Sequence, residues 1–338
     1  MPCTQAAREF LLDLPKCEHH LHIEGTLEPA LLFELAKKND IKLSPDQFPS
    51  IEATIERYKH FSCLQDFLDV YIAAMDVLIT KSDFEALTWA YLKRSHTERG
   101  VPLDTVVNGI DAALKRAHKE LGISTVLTMC FVRHLSVESA IESVEAMEKF
   151  VKAGVVSGLG CDSTEKGNPP EKYVKVYERA RKLGFPNFTM HAGEEGPADN
   201  VRFSVETLGL RRIDHGVRSI DDPEVVKLLV EKDVFVALCP LSNVALKVFP
   251  SVEAGPIPMF LDAGVKFSIN SDDPSYLGGY ILDNYIAVQD AFSLSKQTWQ
   301  ALMLNAINYS WCDESRKAEL RKLLDRVMSN WADRDILE

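Results

Sequence analysis

The sequence predicts an α/β fold built on parallel strands and, within that class, a (β/α)8 barrel. Three observations lead there. From residue 125 onward short apolar runs alternate with helical segments, the pattern of a parallel sheet flanked by helices. The runs are apolar at nearly every position, as strands buried on both faces are. No Gly-x-Gly-x-x-Gly follows the first strand, which disfavours an open dinucleotide-binding sheet, and polar residues gather at the strand ends where barrels carry their sites.

In chain order, the first strand is expected near 17–23, in Cys17-Glu18-His19-His20-Leu21-His22-Ile23. Successive strand residues point to opposite faces, so His20 and His22 share one face and His19 takes the other. Thr26 reads as an N-cap, with Pro29 in the first turn of a helix running to about Lys38. Residues 44–60 are mixed and read as an excursion. From Phe61 to Lys93 the apolar spacing is helical (Phe61, Leu64, Phe67, Leu68, Tyr71, then Phe84, Leu87, Ala90, Tyr91), which assigns this aromatic stripe to helix packing. A further helix is expected over Leu103 to Leu121, with Gly122 as its C-cap. Strands are expected at 125–133, 155–161, 187–192, 211–216, 234–240 and 265–270. Helices between them include Glu138 to Val151, Glu171 to Leu183 and Pro223 to Glu231. The tail from about 296 to 337 is helical and amphipathic. All of this forms one domain, 1–338, with the helical excursion at about 44–94.

The count of strands is seven, and a barrel of this type needs eight. The second strand belongs between the helix ending near Lys93 and the helix starting near Leu103, where only the polar Arg94-Ser-His-Thr-Glu-Arg-Gly100 is found. The chain is therefore expected to lack its second strand, about fifteen residues at the Arg94–Ser95 junction.

Composition narrows the function. The chain has 338 residues, 46% of them hydrophobic, and a formal charge of −12, which disfavours nucleic acid and anionic membranes as partners. Seven cysteines are scattered without a Cys-x-x-Cys pair, which argues for a reducing compartment and against a thiolate zinc site. The first fifteen residues are too polar for a signal peptide, and no apolar run reaches the roughly 20 residues of a membrane span. The cytoplasm is the expected location, with the nucleus also open.

Chemistry gathers at the strand ends. Two imidazoles on one face, His20 and His22, can reach a single metal ion. The 187–192 strand ends in His191-Ala-Gly-Glu194-Glu195-Gly196, the 211–216 strand in Asp214-His215-Gly216, and the 265–270 strand runs into Asn270-Ser-Asp272-Asp273-Pro274. Taken singly, each has a bland reading as a cap or a turn. Together they deliver His or Asp from four strands to one rim. Four N/O ligands without a thiolate suit Zn²⁺: His20, His22, His191 and Asp272. Such an ion would lower the pKa of a bound water to about 7. The rim after 155–161, Gly160-Cys-Asp-Ser-Thr, offers no lysine that could be carbamylated to bridge two metals, so one ion per chain is expected. Cys161 has an ordinary packing explanation. Glu194, three residues past His191, can serve as a general acid, and His215 can hold or deprotonate the water. Asp273 can accept a hydrogen bond from a substrate N–H.

The motifs His-x-His-x-Glu-Gly (20–25), His-Ala-Gly-Glu (191–194), Asp-His-Gly (214–216) and Ser-x-Asn-Ser-Asp-Asp-Pro (268–274) resemble those of the adenosine/adenine deaminase family of metal-dependent hydrolases, over nearly the whole chain. Within it, Cys17–Thr26, His191–Pro197 and Cys239-Pro-Leu-Ser-Asn-Val244 look most like the fungal-type adenine deaminases. The resemblance implies attack of a metal-activated water on C6 of a purine, with Glu194 protonating N1, His215 assisting the water and Asp273 contacting N7. Glu24 and Gly160 are the other substrate-facing positions that it implies, and it places a second barrel strand just before the loop matching Ser95–Gly100. The zinc deaminases with Cys ligands and a Pro-Cys-x-x-Cys motif are a different group, and that motif is absent here. Three readings stay open: an adenine deaminase, a deaminase of adenosine or of another aminopurine nucleoside or nucleotide, and a catalytically impaired or scaffolding relative lacking one strand. The oligomeric state is left open.

Overall fold

The computed structural model describes residues 3–90 and 103–337. It contains six strands: β1 (Leu127–Val132), β2 (Val156–Asp162), β3 (His191–Ala192), β4 (Arg212–His215), β5 (Phe235–Leu238) and β6 (Lys266–Ile269). Every pairing is parallel: β1 lies beside β2, and β3, β4, β5 and β6 follow one another in order. Two single bridges extend these sheets. Leu159 of β2 bridges Phe188, just before β3, and Leu21 bridges Asp272, just after β6. Around Leu21 the His22 N–H donates to the Asp272 carbonyl at 2.9 Å, and the Asp272 N–H donates to the His20 carbonyl at 3.1 Å. Seven parallel segments thus follow one another around an arc, from β1 to the segment about Leu21.

The elements lie close to where the residue pattern predicts them. The helix over Leu103–Leu121 ends at Gly122, whose φ of 68° is the left-handed conformation of a glycine cap. The helix at Pro223–Glu231 begins at the Asp222 N-cap, whose carboxylate accepts from the Glu224 N–H. The excursion, expected to be helical, contains a regular helix at Ile51–Tyr58, capped by Ser50. Three expectations need correction. The segment expected as a strand at 17–23 makes only the bridge at Leu21. The strand expected at 187–192 is reduced to two residues with a bridge at Phe188. Thr26 is not a cap: the helix Pro29–Lys38 starts at Glu28, while Thr26 ends a 3-10 turn and donates its hydroxyl to the Ile23 carbonyl at 2.6 Å.

Two buried apolar clusters support the arc. One lies between the strands and the outer helices and takes in Phe10, Trp299 and Trp331. The other is built by the excursion helices, from Leu64, Phe67 and Tyr71 to Phe84 and Leu87, against Leu27, Leu32 and Tyr276. The buried Asp83 carboxylate fastens the excursion. It accepts from Lys38 Nζ at 2.5 Å, Asn39 Nδ2 at 2.9 Å and the Thr80 N–H at 2.7 Å. Among the described residues no helix is long and apolar enough to cross a membrane.

Closure of the arc is a separate matter. β4 and β5 are buried at every position, whereas β1 alternates between half-buried and buried residues, as a strand at the end of an arc does. Among the described residues no ladder joins β1 to the segment about Leu21. The Arg94–Ser95 junction, where the second strand is expected to be missing, lies outside the described residues. A version of the chain with a strand and its approach inserted there should melt about 5 °C higher or more. Backbone groups left unpaired inside a sheet cost about 1–3 kcal/mol each, and each kcal/mol moves the melting of a domain this large by about 2–4 °C. It should also turn over substrate faster. Thermal melts and rates of the two chains side by side measure this, and equal values would mean that the barrel closes without the strand.

Candidate active site

The parallel pairing brings the ends of β2, β3, β4 and β6 and the bridge at Leu21 to one rim, around a cavity of about 640 Å³. His20 and His22 flank the bridging Leu21, and their Nε2 atoms approach to 3.2 Å. Asp272 faces both: its Oδ1 lies 3.0 Å from His20 Nε2 and 3.3 Å from His22 Nε2. His191 comes in from β3, with its ring centroid 4.6 Å from that of His20 and 5.1 Å from that of His22. Ligand atoms of His20, His22 and His191 lie within 4.8 Å of one another, as do those of His20, His215 and Asp272. The four expected ligands are therefore brought together. His19 is not among them: its Nε2 lies 2.8 Å from the Ala306 carbonyl, on the opposite side of the strand.

This donor set fits a divalent cation. Burial holds the His191 ring well below the usual histidine range, so it is neutral and can ligate. Burial also works against charge on His20, yet Cys239, Asp272 and Asp214 around it outweigh that and raise it, so this point in the protein favours positive charge. Asp272 is ionised: burial pushes its carboxyl up, but His20, His215 and His22 bring it well below the usual carboxylate range. Its backbone has a φ of 65°, a left-handed conformation that few non-glycine residues adopt and that occurs disproportionately at functional sites.

Next to this cluster sit the two groups with proton chemistry. Glu194, 3% exposed, holds its proton: burial raises its pKa well above the usual range, and the nearby Asp272, Glu165 and Glu195 charges add to this. Its Oε2 lies 3.6 Å from His215 Nε2. Burial lowers His215 to about 4, so the ring is neutral. The Asn243 amide nitrogen stands 3.3 Å from His215 Nδ1, which leaves the ring proton on Nε2, facing Glu194 and Asp272.

Of the residues expected to face a substrate, Asp273 and Glu24 line the cavity, and both are buried. Gly25 explains how they come together: a Cβ there would fall 2.1 Å from Asp273 Oδ1, so only glycine lets the 24–26 turn lie against Asp273. Gly160 is not among the residues lining the cavity; a Cβ there would meet Cys130 Sγ at 2.5 Å, so packing between β1 and β2 accounts for it. Asp162, Ser163 and His134 line the wall nearby.

A second layer was not read from the sequence. Asp214 Oδ1 lies 3.5 Å from His20 Nδ1, while its Oδ2 accepts from Thr189 Oγ1 at 2.6 Å. Ser242 donates to Asp272 Oδ2 at 2.6 Å. Glu165, past the end of β2, accepts from the backbone of residues 193–196. The neighbourhood of Asp214 and of Ser242 and Asn243 was visible, since they lie within Asp-His-Gly and Cys239–Val244. Glu165 and Arg133 carried no signal beyond their places after strand ends.

Comparison with known proteins sets this site in context. A family model described as "Adenosine deaminase" matches residues 15–96 and 91–328. An adenine deaminase of Aspergillus fumigatus is 47% identical over 345 aligned positions, covering 96% of this chain and 97% of that protein. The crystal structure of an adenine deaminase from Arthrobacter aurescens superposes with a TM-score of 0.86 at 39% identity, covering 92% of this chain and 98% of that one. An amidohydrolase from Burkholderia ambifaria, solved with bound Zn, superposes with a TM-score of 0.85 at 25% identity over 98% of this chain and 96% of that one. The family match is broken at 91–96, and the 345 positions aligned with the Aspergillus protein outnumber the 338 residues here, so that relative has residues without a counterpart in this chain.

Replacing His191 by Ala should abolish stoichiometric metal binding, read by metal analysis of the purified variant; a full equivalent retained would remove His191 from the ligand set. Asp214→Asn should leave the ligands in place but weaken metal affinity about 10–100-fold, the usual cost of losing a carboxylate behind a ligating histidine. Competition with a chelator measures that, and wild-type affinity would show that Asp214 does not orient His20.

Proposed function

The chain belongs to the adenosine deaminase family, and we infer that it hydrolyses adenine to hypoxanthine and ammonia. What carries this reading is the convergence of Glu194, His215 and His191 on one cavity, in a chain whose full-length relatives at 47% identity are adenine deaminases. In the reaction a water oxygen bonds to C6, the C6–N6 bond breaks, and the exocyclic amino group takes up one proton originating in the water and leaves as ammonia, while the water's other proton replaces the one delivered to N1.

We assign the cation as zinc, one per chain, held by His20, His22, His191 and Asp272. The imidazole and carboxylate donor set and the bound Zn of the Burkholderia relative support this. When bound, zinc lowers the pKa of water and so supplies a nucleophile at neutral pH. The protein's own residues do the rest. Glu194 stays protonated in its dry pocket and gives that proton to purine N1, which makes C6 more electrophilic; it recovers a proton as the water is consumed. His215 carries its ring proton on Nε2 and holds the attacking oxygen by donating to it. Ser242 and the His20–His22 pair fix the Asp272 carboxylate. Asp273 is placed to accept from an N–H on the imidazole edge of the purine, at N7.

Glu24 supports the free base as substrate. Adenosine-specific members of the resembled family more usually carry Asp at this position, where it contacts the sugar. Glutamate is one methylene longer, and its carboxylate reaches into the space a ribose would occupy. The kcat/KM for adenine should exceed that for adenosine, and the opposite preference in an ammonia-release assay would sink the free-base reading. Glu194→Gln should keep its metal and lose about 10²–10⁴-fold in kcat, because an amide cannot donate a proton and recover it. A near-normal rate in that variant would remove Glu194 from the mechanism.

A further inference from the structure

We propose that Glu165 is a positioning residue for the deamination chemistry, and that it acts by holding the backbone that carries Glu194. This rests on the deaminase reading of the site.

The residues after β3 form a tight turn whose N–H groups point inward at a single carboxylate. Glu165 Oε2 accepts from the N–H groups of Glu194, Glu195 and Gly196 at 2.8, 3.0 and 2.9 Å. Glu165 Oε1 accepts from the Gly193 N–H at 2.9 Å and from Asn200 Nδ2 at 2.8 Å. A run of converging amides is the arrangement with which proteins bind anions, and here the anion is part of the chain. Burial works against charge on Glu165, but Arg133, Asn200 and the amides keep its carboxyl below the usual range, so it is ionised. Arg133 completes the clamp: its Nη1 stands 3.8 Å from Glu165 Oε1, and its Nη2 donates to the His191 carbonyl at 2.5 Å. One buried ion pair, reaching from β1 and β2, therefore holds the turn from the carbonyl of an assigned metal ligand to the amide of Gly196.

The turn is shaped for this one side chain. Gly193 has a φ of 68°, and a Cβ on Gly196 would lie 2.2 Å from Asn200 Nδ2 and 2.7 Å from Glu165 Oε1. Glutamine cannot replace the glutamate, because whichever oxygen becomes an NH₂ group would face two or more donors. Aspartate keeps the charge but is one methylene short. Glu165 is not among the residues lining the cavity, so it acts on the purine through the turn that carries Glu194. Displacing a catalytic group by about 1 Å can cost about 10²-fold in rate, so the loss should appear in kcat.

The test is a double-mutant cycle on the metal-loaded enzyme, with ammonia release from adenine, metal content and melting temperature measured for each protein. Glu165→Gln should retain one metal per chain and a KM within about three-fold of wild type, while kcat falls about 30-fold or more. On a Glu194→Gln background the same change should lower kcat by less than about three-fold, because the group it positions is already disabled. A purely structural role would give the same fold-loss on both backgrounds, and that result, or a wild-type kcat in Glu165→Gln, overturns the proposal. If Glu165→Gln does not fold, Glu165→Asp carries the same cycle, with about a ten-fold loss of kcat expected and wild-type kcat overturning. Absence of ammonia release by the wild-type chain would remove the deaminase reading and this inference together, whereas normal wild-type turnover with an unaffected Glu165 variant overturns the positioning role alone.

Discussion

The Asp272 carboxylate is the interaction on which the rest of the site depends. It is 3% exposed, in a place where an isolated charge would be costly, and it stands 3.0 to 3.7 Å from three imidazoles and 2.6 Å from the Ser242 hydroxyl. Its backbone is bonded in both directions to the segment about Leu21, so that segment and the end of β6 are joined where three of the assigned ligands, His20, His22 and Asp272, arise. Its left-handed φ turns the side chain inward at the strand end, where a regular extended residue would continue the strand. His20, His22 and His215 then gain their orientations from one group. The Asp272 carboxylate among the histidine rings offsets part of what their burial costs, and a cation held there would offset more.

How much of this was legible depends on whether a residue acts through its side chain or through the backbone. His20 and His22 could be paired from the two-residue period of a strand, and His191, Glu194, His215, Asp272 and Asp273 from their places just past apolar runs. Glu165 was not legible, because its partners are amides that every residue has, and the tight turn that gathers them shows in sequence only as two glycines. Thr26 misled for a related reason. It has the chemistry of a cap, but the chain there is drawn into a 3-10 turn that brings Gly25 against Asp273, and the helix begins two residues later. At Gly160 the absent Cβ gives its space to Cys130, a packing role that its place near the rim does not show in the sequence.

The fold separates two tasks. The arc from β2 round to the Leu21 segment carries every assigned ligand and both proton-handling groups, and its strands are nearly all buried. The excursion and β1 supply wall residues to the cavity, among them Phe67, Leu68 and Met129, and Arg133, past the end of β1, donates to the His191 carbonyl. That donation links the β1 side of the cavity to the strand end that carries His191. The family match breaks at 91–96, between the segment about Leu21 and β1 in chain order.

The close approach of Gly25 to Asp273 has a consequence for how variants of this protein are interpreted. The two positions are far apart in the chain, yet any side chain at 25 would occupy the volume that Asp273 Oδ1 now fills. In a saturation mutagenesis experiment position 25 would be intolerant to every substitution, because the new Cβ would also fall 2.3 Å from the Asp273 Cα and could be accommodated only by moving the backbone there. Scored by sequence neighbourhood, that intolerance would be credited to the adjacent histidines and Glu24. Scored by contact, it belongs to a carboxylate at the other end of the gene.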